Sequence, residues 1–225
     1  MKDPGIKIEL GILAWLVISG DEKIIIDTGP SHLSKTAEFH KPFFQLPEQT
    51  LEAQLARFAT SFDEIKIVIN THLHWDHCYG NSFFKKARFY IQKREIDYAR
   101  NPLPIHAKAY VVGQAGLTPP FEETDFDILQ GDVELAPGVK VILTPGHSPG
   151  MQAVCVQTQK GLYTIAGDTI PLFENFAVPD DVPFLPGAIF IDLKEYFESL
   201  ERIKKLGGFI LPGHDLQVLE KTMYP

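Results

Sequence analysis

Five of the eight histidines in this 225-residue chain fall on one spaced pattern, in which each candidate ligand follows a short apolar run. The run 65–69 leads into His72, His74, Asp76 and His77, and 139–143 leads through Thr144-Pro145-Gly146 into His147. Likewise 162–166 leads through Gly167 into Asp168, and 209–211 leads through Pro212-Gly213 into His214. Runs this short, rich in β-branched residues and closed by turn residues, read as buried strands. Every ligand then stands just beyond the C-terminal end of a predicted strand, where loops from several strands meet at one edge of a fold. The glycines let the backbone turn tightly there.

Imidazole nitrogen and carboxylate oxygen suit a borderline-soft divalent ion such as zinc, and a ligand set without a full complement of thiolates tends to be catalytic. Seven ligands, His72, His74, Asp76, His77, His147, Asp168 and His214, are enough for two ions with positions left open for water. Four of them fall within residues 72–77, which no single regular helix or strand accommodates, so the backbone must turn sharply inside the motif. His32, His40 and His106 lie outside the pattern and read as surface residues or satisfied core residues.

The remaining patterns supply the frame. Residues 12–18 and 23–26 flank Ser19-Gly20-Asp21-Glu22 as a hairpin, and 50–58 spaces Leu51, Leu55 and Phe58 at helical intervals. Leu193, Phe197, Leu200 and Leu206 predict a second amphipathic helix, capped by Asp192 and Glu195 and ended by Gly207-Gly208. Strands followed by a helix, twice over, predict the α/β class, an αββα sandwich with the metals at the C-terminal edge of the strands. The long irregular segment 101–126 is a candidate wall over the site or a plain covering. Residues 171–186, with Phe173, Phe176 and Phe184, offer a second apolar wall suited to an acyl chain, or core.

Length and composition agree with one domain spanning 1–225 that carries the metal centre, since 44% apolar residues fill a sizeable core. A net charge of −8 argues against a nucleic-acid partner, because phosphate binding rests on clustered Lys and Arg. Cys78 and Cys155 make no disulfide framework. Cys78, beside His77, reads as a small buried hydrophobe, with tuning of the site as the alternative. Residues 1–10 lack a secretory pattern and the apolar stretch 10–19 is too short to span a bilayer, so the expectation is a soluble cytoplasmic protein with no membrane partner.

Thr71-His72-Leu73-His74-Trp75-Asp76-His77, accompanied by His147, Asp168 and His214, resembles the signature of the metallo-β-lactamase superfamily. The resemblance implies His72, His74 and His147 on one metal, Asp76, His77 and His214 on the other, and Asp168 bridging them. Asp27-Thr28-Gly29 is similar to a superfamily feature in which the aspartate supports the ligands from behind; a plain turn is the alternative. Two such ions would bring the pKa of a water down to about 7. Hydroxide then attacks an ester, lactone, thioester or amide carbonyl, with Asp76 or Asp168 carrying the proton to the leaving group. A glutamate in place of His74 would have pointed to an oxygen-reducing iron centre instead.

Asp168, Glu174-Asn175-Phe176, Val182-Pro183-Phe184, the stretch 199–206 and Pro212-Gly213-His214-Asp215 resemble the N-acyl homoserine lactonase family. That likeness, from Gly11 to Asp215, implies a dinuclear zinc enzyme that opens N-acyl homoserine lactones, the signals of bacterial quorum sensing. Its partner is then a small-molecule lactone or ester, and a homodimer stays open as an assembly. Where well-known members carry a tyrosine three residues after the bridging aspartate, this chain has Pro171, and Tyr79 is a candidate replacement as carbonyl donor. The family usually also has an extra strand and lid before the part that matches Gly11. Two other hydrolase readings stand beside this one: another lactone such as pyridoxolactone, or a thioesterase like glyoxalase II, which normally carries a longer C-terminal extension. A metal-binding sensor without turnover is the reading from another class.

Overall fold

Two β-sheets pack face to face because apolar residues alternate along their strands. The computed structural model describes residues 7–30, 38–176 and 182–225. The first sheet runs β1 (Trp15–Ser19), β2 (Glu22–Ile26), β3 (Ile67–Ile69), β4 (Arg88–Gln92) and β5 (Phe126–Leu129) in spatial order, with β1 and β2 antiparallel and the rest parallel. The second holds β6 (Val133–Ala136), β7 (Val139–Leu143), β8 (Gln152–Thr158), β9 (Gly161–Gly167) and β10 (Phe209–Pro212) in the order β10-β9-β8-β7-β6. Strands β6 to β9 are antiparallel neighbours, and β10 lies parallel to β9.

Side chains two residues apart on a strand share a face. Ile24, Ile26, Ile69 and Tyr90 of the first sheet therefore meet Val141, Val154, Ile165 and Leu211 of the second in one core. Burial of each aliphatic side chain there contributes about 1.5–3 kcal/mol. The intervening Ile25, Val68 and Phe89 turn outward and pack with Leu55 of helix α1 (Leu51–Ala56). Ile142, Ala153, Cys155 and Ala166 pack outward with Tyr196, Leu200 and Ile203 of a long helix, Leu193–Leu206. The layers are helix, sheet, sheet, helix: the expected αββα sandwich.

Local signals account for several boundaries. Thr50 caps α1 by accepting from Ala53 N–H at 3.2 Å, and the helix ends before Phe58, which is 38% exposed. The first strand begins at Trp15 rather than at residue 12. On the long helix, Asp192 accepts from Glu195 N–H at 2.9 Å and Gly207 ends the helix at φ +69°, as the sequence predicts. Its buried face differs: Tyr196, Ser199, Leu200 and Ile203 are buried, whereas Leu193 and Leu206 are exposed. The reason is polar, since Tyr196 O–H donates to the Asp168 carbonyl at 2.7 Å and Ser199 O–H to the Pro145 carbonyl at 2.7 Å, which docks that face on two ligand loops.

Strands β4, β5, β6 and β8 carry no predicted ligand and have no counterpart in the sequence-based expectation. The segment 101–126 holds turns and a 3-10 turn at Pro120–Glu123 before β5 begins. Among the described residues no helix is long and apolar enough to cross a membrane.

Candidate metal centre

The first motif works because the chain changes conformation inside it. After β3 the chain bends at Thr71, His74 is extended (φ −67°, ψ 151°), and the backbone then winds into the one-turn helix α2 (Trp75–Cys78). His72 and His74 thus precede the switch while Asp76 and His77 follow it, and four side chains from six residues converge. The three later ligands each follow a glycine with its own physical cause. Gly146 has φ +134° and a Cβ there would overlap the Tyr196 backbone; Gly167 has φ +49° and a Cβ would lie 2.5 Å from Met151 Cε. Gly213 is needed for close approach alone, since a Cβ would lie 2.7 Å from the Gly167 carbonyl carbon.

These loops bring the seven candidate ligands into two adjoining groups. His72, His74, His147 and Asp168 form one and Asp76, His77 and His214 the other, with one ligand atom per residue inside a 4.8 Å span in each. Asp168 lies between them: Oδ1 is 2.9 Å from His214 Nε2 and 3.2 Å from His77 Nε2, while Oδ2 is 3.3 Å from His147 Nε2. His74 Nδ1 is 3.2 Å from His147 Nε2. Asp76 Oδ2 stands 3.8 Å from His77 Nε2 and 3.9 Å from His214 Nε2.

Buried polar atoms without partners cost about 1–3 kcal/mol each and so demand an explanation. His72 Nε2, His77 Nε2 and Asp168 Oδ1 are such atoms; the ring nitrogens near Asp168 Oδ1 lack the angular geometry of a hydrogen bond to it. Lone pairs of this kind, converging from imidazoles and carboxylates, fit two divalent cations.

The outward-facing ring nitrogens are fixed by acceptors that set each tautomer. His214 Nδ1–H donates to the Gly11 carbonyl at 2.7 Å and His147 Nδ1–H to the Ile189 carbonyl at 2.9 Å, leaving both Nε2 lone pairs inward. His77 Nδ1 lies 2.8 Å from Asp27 Oδ2, and Asp27 also accepts from Thr71 N–H at 2.7 Å and Thr71 O–H at 2.8 Å. Asp27 therefore supports the ligands from behind. Burial holds the His72, His74 and His147 pKa values below the ordinary one. Burial opposes charge on His214 too, but Asp168 beside it lifts its pKa to about 9, and Asp168, Asp76 and Asp27 raise that of His77 in the same way.

Other sequence-based candidates land elsewhere. Tyr79, proposed as carbonyl donor, is buried with its hydroxyl 3.4 Å from the Thr118 carbonyl. It lines a cavity of about 490 Å³ with Asn81, Phe84, Arg88 and Phe126 that none of the seven ligands lines. The next residue, Gly80, packs on Thr28, whose carbonyl oxygen a Cβ there would approach to 2.4 Å. Phe184 is core, packed with Tyr196 and Leu200, and Phe176 packs against it. Phe173 and Phe176 line a separate groove with Phe209 and Tyr224, so they form no wall at the ligands; residues 177–181 of that expected wall lie outside the described residues. The 101–126 segment does reach the site, with the Ala109 carbonyl accepting from Trp75 N–H at 2.9 Å. Cys78 is fully buried in a small apolar cluster, where burial pushes its thiol pKa up. His106 is satisfied by Tyr98 at 2.8 Å, His40 stacks on Trp75 at 3.9 Å with Nε2 unpartnered, and His32 lies outside the described residues.

Two residues without a motif also belong here. Glu95 is fully buried between the ligand loops, and Tyr110 packs its ring edge-on at 4.6 Å from the His74 ring. Burial pushes the Glu95 pKa up, against hydrogen bonds from Ser148, Leu73, Tyr110 and Gly150.

Residues 8–214 match the model of the metallo-β-lactamase superfamily. An N-acyl homoserine lactonase of Bacillus thuringiensis is 30% identical over 224 residues, 95% of this chain and 85% of that protein. The chain belongs to the metallo-β-lactamase superfamily, within its N-acyl homoserine lactonase family. An N-acyl homoserine lactone hydrolase solved with the product N-hexanoyl-L-homoserine at its catalytic metal centre superposes with a TM-score of 0.76 at 26% identity, covering 97% of this chain and 86% of that one. A mutant of the Bacillus thuringiensis enzyme with N-decanoyl-L-homoserine at its active site gives 0.76 at 27% identity, with the same coverage. Membership in this family makes the chain a metal-dependent hydrolase of ester bonds.

Proposed function

We propose that this protein is a dinuclear zinc hydrolase that opens the ring of N-acyl homoserine lactones, and so quenches quorum sensing. The observation that carries the reading is the pair of ligand groups joined by Asp168, in a chain that matches a lactonase over 95% of its length. His72, His74 and His147 would hold one ion, Asp76, His77 and His214 the other, and Asp168 both. Such a pair of ions supplies Lewis acidity, acidifying water and polarising a carbonyl.

The chain's own residues divide the rest of the work. Both Asp168 oxygens face ring nitrogens, so that carboxylate is committed to joining the two groups. Asp76 has 19% of its side chain exposed and stands farther from the rings, so we assign to it the relay that would take the proton from the attacking water and give it to the leaving alkoxide. Asp27 holds the His77 ring in place. Pro171 offers no hydroxyl to the lactone carbonyl, and this favours, as a second reading, a lactone other than the acyl homoserine type, such as pyridoxolactone.

The deciding experiment is pH-indicator hydrolysis of a panel holding short- and long-chain acyl homoserine lactones, simple γ- and δ-lactones, pyridoxolactone and S-lactoylglutathione, with metal content measured on the same sample. Selective opening of the acyl homoserine lactones with two zinc ions per chain is the expected result. Activity confined to other lactones or the thioester would discard that substrate, and no turnover with bound metal would point to a sensor.

A further inference from the structure

One buried carboxylate ties together the two loops that carry the three-histidine group, without being a ligand itself. Glu95 lies on the short helix α3 (Lys93–Ala99) that follows β4. Its Oε1 accepts from Leu73 N–H at 3.0 Å and Tyr110 O–H at 2.9 Å, and its Oε2 from Ser148 O–H at 2.6 Å and Gly150 N–H at 3.1 Å. Leu73 separates His72 from His74, and Ser148 directly follows His147. One loop leaves the first sheet and the other the second, so the four bonds span the sandwich at its ligand edge. Gly150 seats its loop directly on α3, since a Cβ there would overlap the Glu95 backbone. Tyr110 extends the network to the edge of the His74 ring.

Charge gives the arrangement a second meaning. Asp76 and Asp27 both stand in or behind the Asp76–His77–His214 group, whereas the other group has imidazoles and a share of Asp168. The four groups that donate to Glu95 are all neutral. Those donors offset part of the cost of burying a carboxylate, and a divalent cation held by the three-histidine group would favour its charged form further.

We propose that Glu95 is the positioning residue of the three-histidine group, clamping its two loops and supplying the negative charge that an ion held there requires. This rests on the reading that the group holds a divalent ion, so the test is ion binding and not turnover. Wild type, Glu95→Gln, Ser148→Ala, Tyr110→Phe and His147→Ala are equilibrated in zinc buffers of graded free concentration and analysed for bound metal. Cobalt-substituted visible spectra provide a second readout and circular dichroism reports folding. Wild type should bind two ions. Glu95→Gln should weaken one ion about 10–100-fold, the one that His147→Ala loses, and leave the other unchanged. Ser148→Ala and Tyr110→Phe, which remove one donor each and keep the carboxylate, should weaken the same ion by less.

If folded Glu95→Gln binds both ions with wild-type affinity, the assignment is overturned and the residue only packs. If Glu95→Gln does not fold, unchanged ion affinities in both donor variants overturn it equally. A wild type that binds fewer than two ions sinks the two-ion reading itself, and the role of Glu95 falls with it.

Discussion

The two halves of the centre are built on opposite plans. The three-histidine half takes His72, His74 and His147 from two loops in the middle of the chain, and a buried glutamate on a third segment stitches them together. The other half depends on the chain's far ends: His214 is held by the Gly11 carbonyl across 203 residues, and the Gly11 N–H returns a bond to the His214 carbonyl at 2.9 Å. His77 is held by Asp27 at the end of β2. One half is thus fixed by a side-chain network between loops and the other by where the strands place the termini. Disturbances aimed at each should separate in their effects on the two ions.

The largest effect is expected from Asp168→Ala, which touches both halves: elemental analysis should find both ions lost, and hydrolysis should fall below detection. Retention of two ions would mean that this carboxylate does not join the halves. Next, His147→Ala should lose one ion, keep the other and most of the fold, and abolish turnover. Full turnover with one ion or none would end the two-metal mechanism. Asp27→Asn should act chiefly on the opposite half, weakening the ion of His77 and His214 by about 10–100-fold in chelator competition and its neighbour by less, since Asp27 also holds Thr71 beside His72. Equal weakening of both ions would erase the comparison. The smallest effect is expected from Pro171→Tyr, at a residue whose carbonyl accepts from His214 N–H at 2.9 Å. It should raise kcat/KM on acyl homoserine lactones; an unchanged or lower value would mean that another donor already holds the carbonyl.

The ligand groups were legible in the sequence because each combines strong local signals. A β-branched run predicts the strand and a ligand-type residue the function, and before His147, Asp168 and His214 a glycine predicts the tight exit, all within about ten positions. Strand β7 and the long C-terminal helix match their predicted bounds for the same reason. Glu95 was not legible. It sits in Lys93-Arg94-Glu95, a charged triplet that reads as a solvated helix start, and only the loops around it turn it inward. Tyr79 misled in the opposite direction, because proximity to His77 in sequence says nothing about which way the chain leaves a one-turn helix. The aromatic residues of 171–186 failed as a wall because an apolar side chain looks the same whether it faces core or substrate.

What the sequence determined by itself is the class of the fold and a set of candidate ligands placed at the ends of strands. These depend on periodicity and on turn chemistry, which act over a few residues. Tertiary structure alone decided that the Gly11 and Ile189 carbonyls hold the His214 and His147 rings and that Glu95 joins the two loops of the three-histidine group. Those contacts join residues 22 to 203 positions apart, and they exist only once two sheets have closed on a shared core.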